Sequence, residues 1–183
     1  MSRQVKWGRI VDPEELRSLQ SALKSEGKRL VFTNGCFDLL HVGHLRTLLK
    51  AAEQGDILVV GLNSDDSVRR LKGEGRPLVA ERERAEMLAA LRCVDYVVIF
   101  DEETPLKVIE ALRPDVLVKG GDYEPEATSG PGHIVGSDLV RSYGGDVIVI
   151  DLVDGRSTSG LVRKLQTTPV GDPDRANDGD QPR

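Results

Sequence analysis

From residue 12 onward the chain alternates between two rhythms of apolar side chains. Leu16, Leu19 and Leu23 recur at helical spacing behind Asp12, Pro13 and Glu15, start signals for a helix over residues 12–26 that Gly27 ends. RLVFTN (29–34) is a short apolar run between polar ends, the pattern of a buried strand. HLRTLLKAAEQG then predicts a helix ending at Gly55, ILVVGL (57–62) a strand, AERERAEMLAALR (80–92) a helix and DYVVIF (95–100) a strand. Residues 104–112 predict a helix stopped by Pro114, DVLVKG (115–120) a strand and GSDLVRSYGG (136–145) a short helix. DVIVID (146–151) is the fifth strand and STSGLVRKLQ (157–166) the last helix. Five apolar strands separated by helices predict an α/β fold, a doubly wound five-stranded parallel sheet with helices on both faces. Residues 1–27 are expected as a helical segment packed on a domain spanning 28–166, and 167–183, which lack an apolar period, as a disordered tail.

Composition narrows the ligand. A formal net charge of -5 argues against binding duplex nucleic acid, which needs a basic face, and 4% aromatic residues leave few platforms for stacking single strands. Phosphate chemistry must then come from a local pocket of cations and backbone N–H groups. The start, MSRQVKWGRI, does not read as a leader and no apolar run reaches membrane length, so a cytoplasmic protein is expected. Cys36 and Cys93 form no CxxC pattern and read as reduced thiols.

Doubly wound sheets bind ligands at the carboxyl ends of their strands, where strand order reverses. Here the first predicted strand exits into NGCFDLLHVGH, the second into NSDDS, the fourth into KGGDY and the fifth into DGRSTS; the third exits into FDEETP, which has no cation. Neither a G-x-x-x-x-G-K-[ST] loop nor a G-x-G-x-x-G turn after the first strand is present, so something else must hold a phosphate. The segment H-V-G-H offers it: His41 in the loop, Gly43 allowing close backbone approach, and His44 in the first helical turn, where N–H groups and the helix dipole favour an anion. By spacing alone the two histidines also fit a metal pair or two ordinary polar residues. A structural zinc would need four ligands, and none beyond Cys36 is near in sequence.

TNGCFDLLHVGH, followed in order by NSDDSVRRLKGEGRP, LVKGGDY and DGRSTS, closely resembles the HxGH nucleotidyltransferases of the cytidylyltransferase-like superfamily, and among them most resembles the D-glycero-β-D-manno-heptose 1-phosphate adenylyltransferases. The resemblance covers roughly residues 28–166 and implies a Rossmann-like domain. It implies attack of a sugar or alcohol phosphate on the α-phosphate of a nucleoside triphosphate, with release of pyrophosphate. By the same resemblance His41, His44 and Lys119 are catalytic. Backbone N–H groups of Cys36 and Phe37, together with Gly43, Lys72, Arg84, Asp122, Ser157, Thr158 and Ser159, are assigned to the nucleotide, with RRLKGEGRP forming a flexible basic loop over the phosphates. Asn34, Asp38, Asn63 and Lys119 are assigned to the second substrate, Asp38 with a structural role in holding the loop as well. Arg84 also fits a plain i,i+4 surface pair on a helix.

The resemblance further implies magnesium carried in with ATP, a homodimer and a separate sugar kinase that supplies the phosphate. Two departures bear on substrate choice. LVDGRST stands where glycerol-phosphate cytidylyltransferases carry an RTEGIST-like segment, and EPEATSGPGHIVGSD is longer than in the bifunctional kinase–adenylyltransferases. The competing readings are a glycerol-3-phosphate-type cytidylyltransferase, a nucleotide-binding regulatory module without turnover and an interaction subunit of a sugar kinase.

Overall fold

In the computed structural model we describe residues 7–150, except 122, 125, 126, 128, 129 and 131. The elements run β1 (Arg9–Val11), a 3-10 turn (Pro13–Glu15), α1 (Leu16–Ser25), β2 (Leu30–Gly35), α2 (Val42–Ala52), β3 (Ile57–Asn63) and α3 (Asp65–Lys72). They continue with α4 (Glu81–Ala89), β4 (Tyr96–Phe100), α5 (Leu106–Leu112), β5 (Val116–Gly120), α6 (Ser137–Ser142) and β6 (Asp146–Ile150). All pairings are parallel, and the sheet order is β1-β4-β3-β2-β5-β6.

The central strands lack an alternating polar position because both faces are covered. On one face Val31, Leu58, Val60 and Val97 pack against Leu48 and Ala51 of α2 and Leu88 of α4. On the other, Phe32, Val59, Val98 and Leu117 meet Leu16 and Leu23 of α1 and Ile109 and Leu112 of α5. Gly61 belongs to this packing. A Cβ there would lie 2.7 Å from Phe32 Cζ and 3.1 Å from Asn34 Cβ, so its absence lets both side chains seat on the sheet.

The sheet has six strands, not five. β1 has three residues and buries only Val11, so it has no apolar run of its own, and it forms because the edge of β4 accepts it. RRLKGEGRP also departs from the expected loop. Its first half is the end of α3, which Ser64 caps by accepting the Ser67 N–H at 3.0 Å, with Asp65 and Asp66 in the first turn. The stretch from Asp12 splits into the 3-10 turn and α1, and Lys24 of α1 pairs with Asp115 just before β5. The predicted last helix and tail lie outside the described residues.

Strand order reverses at β2, which has β3 on one side and β5 on the other. The loop leaving β2, residues 36–41, therefore stands at the point where a doubly wound sheet opens a crevice.

Candidate active site

The loop from β2 into α2 is built around its two histidines. His41 is the N-cap of α2 in an extended conformation, and its Nδ1 accepts the N–H of Gly43 at 3.1 Å and of His44 at 3.4 Å. An imidazole in the capping position thus satisfies two of the helix's unpaired donors. With Nδ1 accepting, the neutral ring carries its proton on Nε2. The two imidazoles stack, centroids 3.8 Å apart and 18° from parallel, and the ring of Phe37 meets His44 edge-on at 5.2 Å.

Burial, then the neighbouring His41 and Lys72, lower the His44 pKa to about 4, while the Leu39 carbonyl pulls the other way. His44 is therefore neutral near pH 7. Its environment is one that an incoming polyanion would improve, because negative charge reverses the sign of the field that now disfavours protonation.

The neighbouring strand ends complete the cluster. Lys119, near the end of β5, donates to Asn34 Oδ1 at 2.6 Å across the switch point, and its Nζ lies 5.9 Å from the centre of the Tyr123 ring. Burial pushes the Lys119 ammonium down to about 8, with Cys36 opposing the shift. Asn63, 4% exposed at the end of β3, donates to Ser67 Oγ at 3.0 Å, and the Cys36 thiol sits 4.0 Å from its Oδ1. The polar tips of β2, β3 and β5 are thereby linked.

The basic cluster divides. Arg69 pairs with Asp66, Arg70 with Asp101 at 3.2 Å and Arg76 with Asp38 at 2.5 Å. Lys72 has no hydrogen-bond or ion-pair partner among the described residues, is exposed, and lies close enough to act on His44. It is the cation of this stretch left for a ligand.

Two residues assigned to ligands are turned into the protein. Asp38, buried, accepts the N–H of Leu78 at 2.7 Å and of Val79 at 3.3 Å while pairing with Arg76. It fastens the segment after α3 to the β2–α2 loop. Arg84 is 2% exposed, so a surface pair does not describe it, and its guanidinium binds the loops rather than facing the crevice. Most of their partners lie 19 to 48 positions away along the chain, the Val79 carbonyl near Arg84 being the one local contact. Asp122, Ser157, Thr158 and Ser159 lie outside the described residues.

The donor set at this crevice is imidazole, ammonium and amide, which suits phosphate oxygens rather than a resident metal. No three His, Cys, Asp or Glu side chains converge on a metal position among the described residues. That set fits a magnesium ion held by the phosphates of its own nucleotide, which asks for few protein ligands.

A parallel doubly wound sheet with a histidine-capped helix at its switch point defines a class of nucleotide-handling domain, and comparison with known proteins gives the family. The model of the cytidylyltransferase-like family matches residues 32–155. The chain belongs to that family, and its chemistry is that of a nucleotidyltransferase. It is 60% identical over 152 residues to the bifunctional protein HldE of Syntrophotalea carbinolica, covering 83% of this chain and 30% of that protein. It is 59% identical over 162 residues to HldE of Geotalea uraniireducens, covering 88% and 32%. The chain thus spans about a third of the length of these curated relatives. Among solved structures, the lipopolysaccharide core biosynthesis protein of Thermoplasma volcanium superposes with a TM-score of 0.52 at 25% identity, covering 69% of this chain and 98% of that one. Pantoate-beta-alanine ligase of Francisella tularensis, with a TM-score of 0.59 at 16% identity over 88% and 74% of the chains, shares the fold. Among the described residues no helix is long and apolar enough to cross a membrane.

Proposed function

We propose that the chain transfers AMP from ATP to a sugar 1-phosphate, D-glycero-D-manno-heptose 1-phosphate, giving ADP-heptose and pyrophosphate. The observation that carries this reading is the meeting of His41, His44 and Lys119 at the switch point, with Lys72 close enough to act on His44. Similarity to the bifunctional protein HldE and to the lipopolysaccharide core biosynthesis protein of Thermoplasma volcanium favours a sugar phosphate over glycerol phosphate.

In this reading an oxygen of the sugar phosphate attacks the α-phosphorus in line. The new P–O bond forms as the bond to the β-phosphate breaks, and pyrophosphate leaves. The nucleophile is already ionised, so the protein's work is alignment and charge stabilisation rather than proton abstraction. His41 Nε2–H donates to a phosphate oxygen, and His44 donates to another once the triphosphate's negative charge favours its protonated form; their contribution grows as charge builds on the leaving group. Lys119, oriented by Asn34, holds the sugar phosphate, and Lys72 closes over the β- and γ-phosphates with Ser157, Thr158 and Ser159. Magnesium bound with ATP would supply charge neutralisation, and Asp122 is the side chain assigned near the nucleotide base or that ion.

The test is pyrophosphate release over ATP, CTP, GTP and UTP against heptose 1-phosphate, other sugar 1-phosphates and glycerol 3-phosphate, with His41→Ala as control. A signal confined to ATP and heptose 1-phosphate and lost in the variant supports the reading. Preference for CTP with glycerol 3-phosphate makes the chain a cytidylyltransferase instead, and tight nucleotide binding with no turnover makes it a regulatory module. A homodimer, a separate sugar kinase as supplier of the phosphate and a cytoplasmic location complete the proposal; sedimentation, co-purification and fractionation test them in turn.

A further inference from the structure

A side chain turned away from the crevice controls a peptide that faces it. Arg84 of α4 uses all three guanidinium nitrogens: Nε donates to the Val79 carbonyl at 2.9 Å, Nη1 to the Cys36 carbonyl at 2.6 Å and the Asn63 carbonyl at 2.9 Å, and Nη2 to Asp65 Oδ1 at 2.7 Å. One planar group thereby ties together the β2–α2 loop, the end of β3, the start of α3 and the segment before α4.

The contact to Cys36 has a directional consequence. In a trans peptide the carbonyl of one residue and the N–H of the next point in opposite directions. Holding the Cys36 carbonyl from the α4 side therefore turns the Phe37 N–H away from α4. That N–H makes no hydrogen bond to any described residue. Phe37 also has φ of +43°, in the left-handed region that a bulky side chain adopts only when the surroundings enforce it. Its ring is 9% exposed and packs on His44, so the loop conformation and the position of the second histidine are set together.

We propose that Arg84 is a positioning residue for nucleotidyl transfer, presenting the Phe37 N–H to a triphosphate oxygen without touching the phosphate itself. The proposal rests on the reading of this crevice as the nucleotide site, and replaces direct contact between Arg84 and the triphosphate. Lysine cannot replace it, because a single ammonium does not span carbonyls on separate loops as a guanidinium fork does.

The test follows the backbone amide signal of Phe37 by NMR in the full chain, for wild type, Arg84→Lys and Asp65→Asn, with inorganic tripolyphosphate as the probe. In free Arg84→Lys the Phe37 signal is displaced or broadened before any ligand is added, and tripolyphosphate affinity falls about tenfold. Asp65→Asn, which loosens one tether and keeps the arginine, moves the same signal less and carries the test if Arg84→Lys does not fold. A Phe37 signal in the free variants coincident with wild type, with tripolyphosphate affinity reduced, overturns the proposal and puts Arg84 on the phosphate. Because the signal is read without ligand or turnover, a wild type that transfers no nucleotide overturns the adenylyltransferase assignment instead.

Discussion

Two regions along the same edge of this sheet share one backbone geometry and carry opposite chemistry. At the switch point, β2 and β5 end in stacked imidazoles, a half-buried lysine and backbone donors. One strand beyond β3, the end of β4 opens on a cavity of about 610 Å3 whose walls include Glu14, Glu81, Asp101 and Glu102, with Lys107 paired to Glu102 at 3.0 Å. The Ser64 hydroxyl, then Arg70, hold Asp101 below the usual carboxylate range, and Lys107 does the same for Glu102. A cavity by itself is therefore no guide to where a triphosphate binds. Parallel strands offer several openings, and the charge and orientation of the groups at each decide what enters.

The strongest way to break the comparison is to remove the imidazoles. His41→Ala or His44→Ala is expected to lower kcat for pyrophosphate release by about a hundred- to a thousandfold, the scale of losing one preorganised donor. Equal activity in both variants would empty the switch point of its catalytic meaning.

A second test separates holding the loop from serving a ligand. Asp38 is the carboxylate within the cationic region, and its oxygens are spent on Leu78, Val79 and Arg76. Asp38→Ala strands a guanidinium that is itself largely buried, and thermal unfolding should show a loss of about 3 kcal/mol. A stable variant with only a raised KM would return Asp38 to the substrate.

Lys119 sharpens the comparison through pH. Its pKa in the fold is about 8 against an ordinary 10.5, so the ammonium is mostly present at pH 7 and is lost as pH rises through 8. The KM for the sugar phosphate should therefore rise above pH 8, whereas in Lys119→Met it should be about tenfold higher throughout and nearly flat. Stability of the ligand-free protein should move the opposite way: between pH 8 and 10.5 the unfolded chain holds the extra proton, so raising pH favours the fold. The smallest effect is expected on the acidic side. Glu14→Gln should leave kcat and KM within about twofold of wild type, as exposed substitutions away from a site do.

How far the sequence foretold this structure depends on where each residue's partners lie. The five apolar strands and the histidine loop were legible because their signals are local: continuous runs between breakers, and H-V-G-H at a strand exit. β1 was not, since three residues with one buried side chain carry no pattern. In α3, Ser64 with Asp65 and Asp66 behind it is a helix-start signal that reading NSDDS as a strand exit and RRLKGEGRP as a basic loop passes over. Arg84 could not be read from its neighbours. Of its four contacts only the one to the Val79 carbonyl is local; the other three form only after β2, β3 and α4 have assembled.

The central claim, that nucleotide enters at the switch point rather than at the end of β4, is tested most directly by NMR on 15N-labelled protein during titration with a magnesium complex of a non-hydrolysable ATP analogue. The imidazole signals of His41 and His44 should shift with saturation, while the backbone signals of Asp101 and Glu102 stay in place. Saturable shifts at Asp101 and Glu102 with both imidazoles unmoved would contradict it.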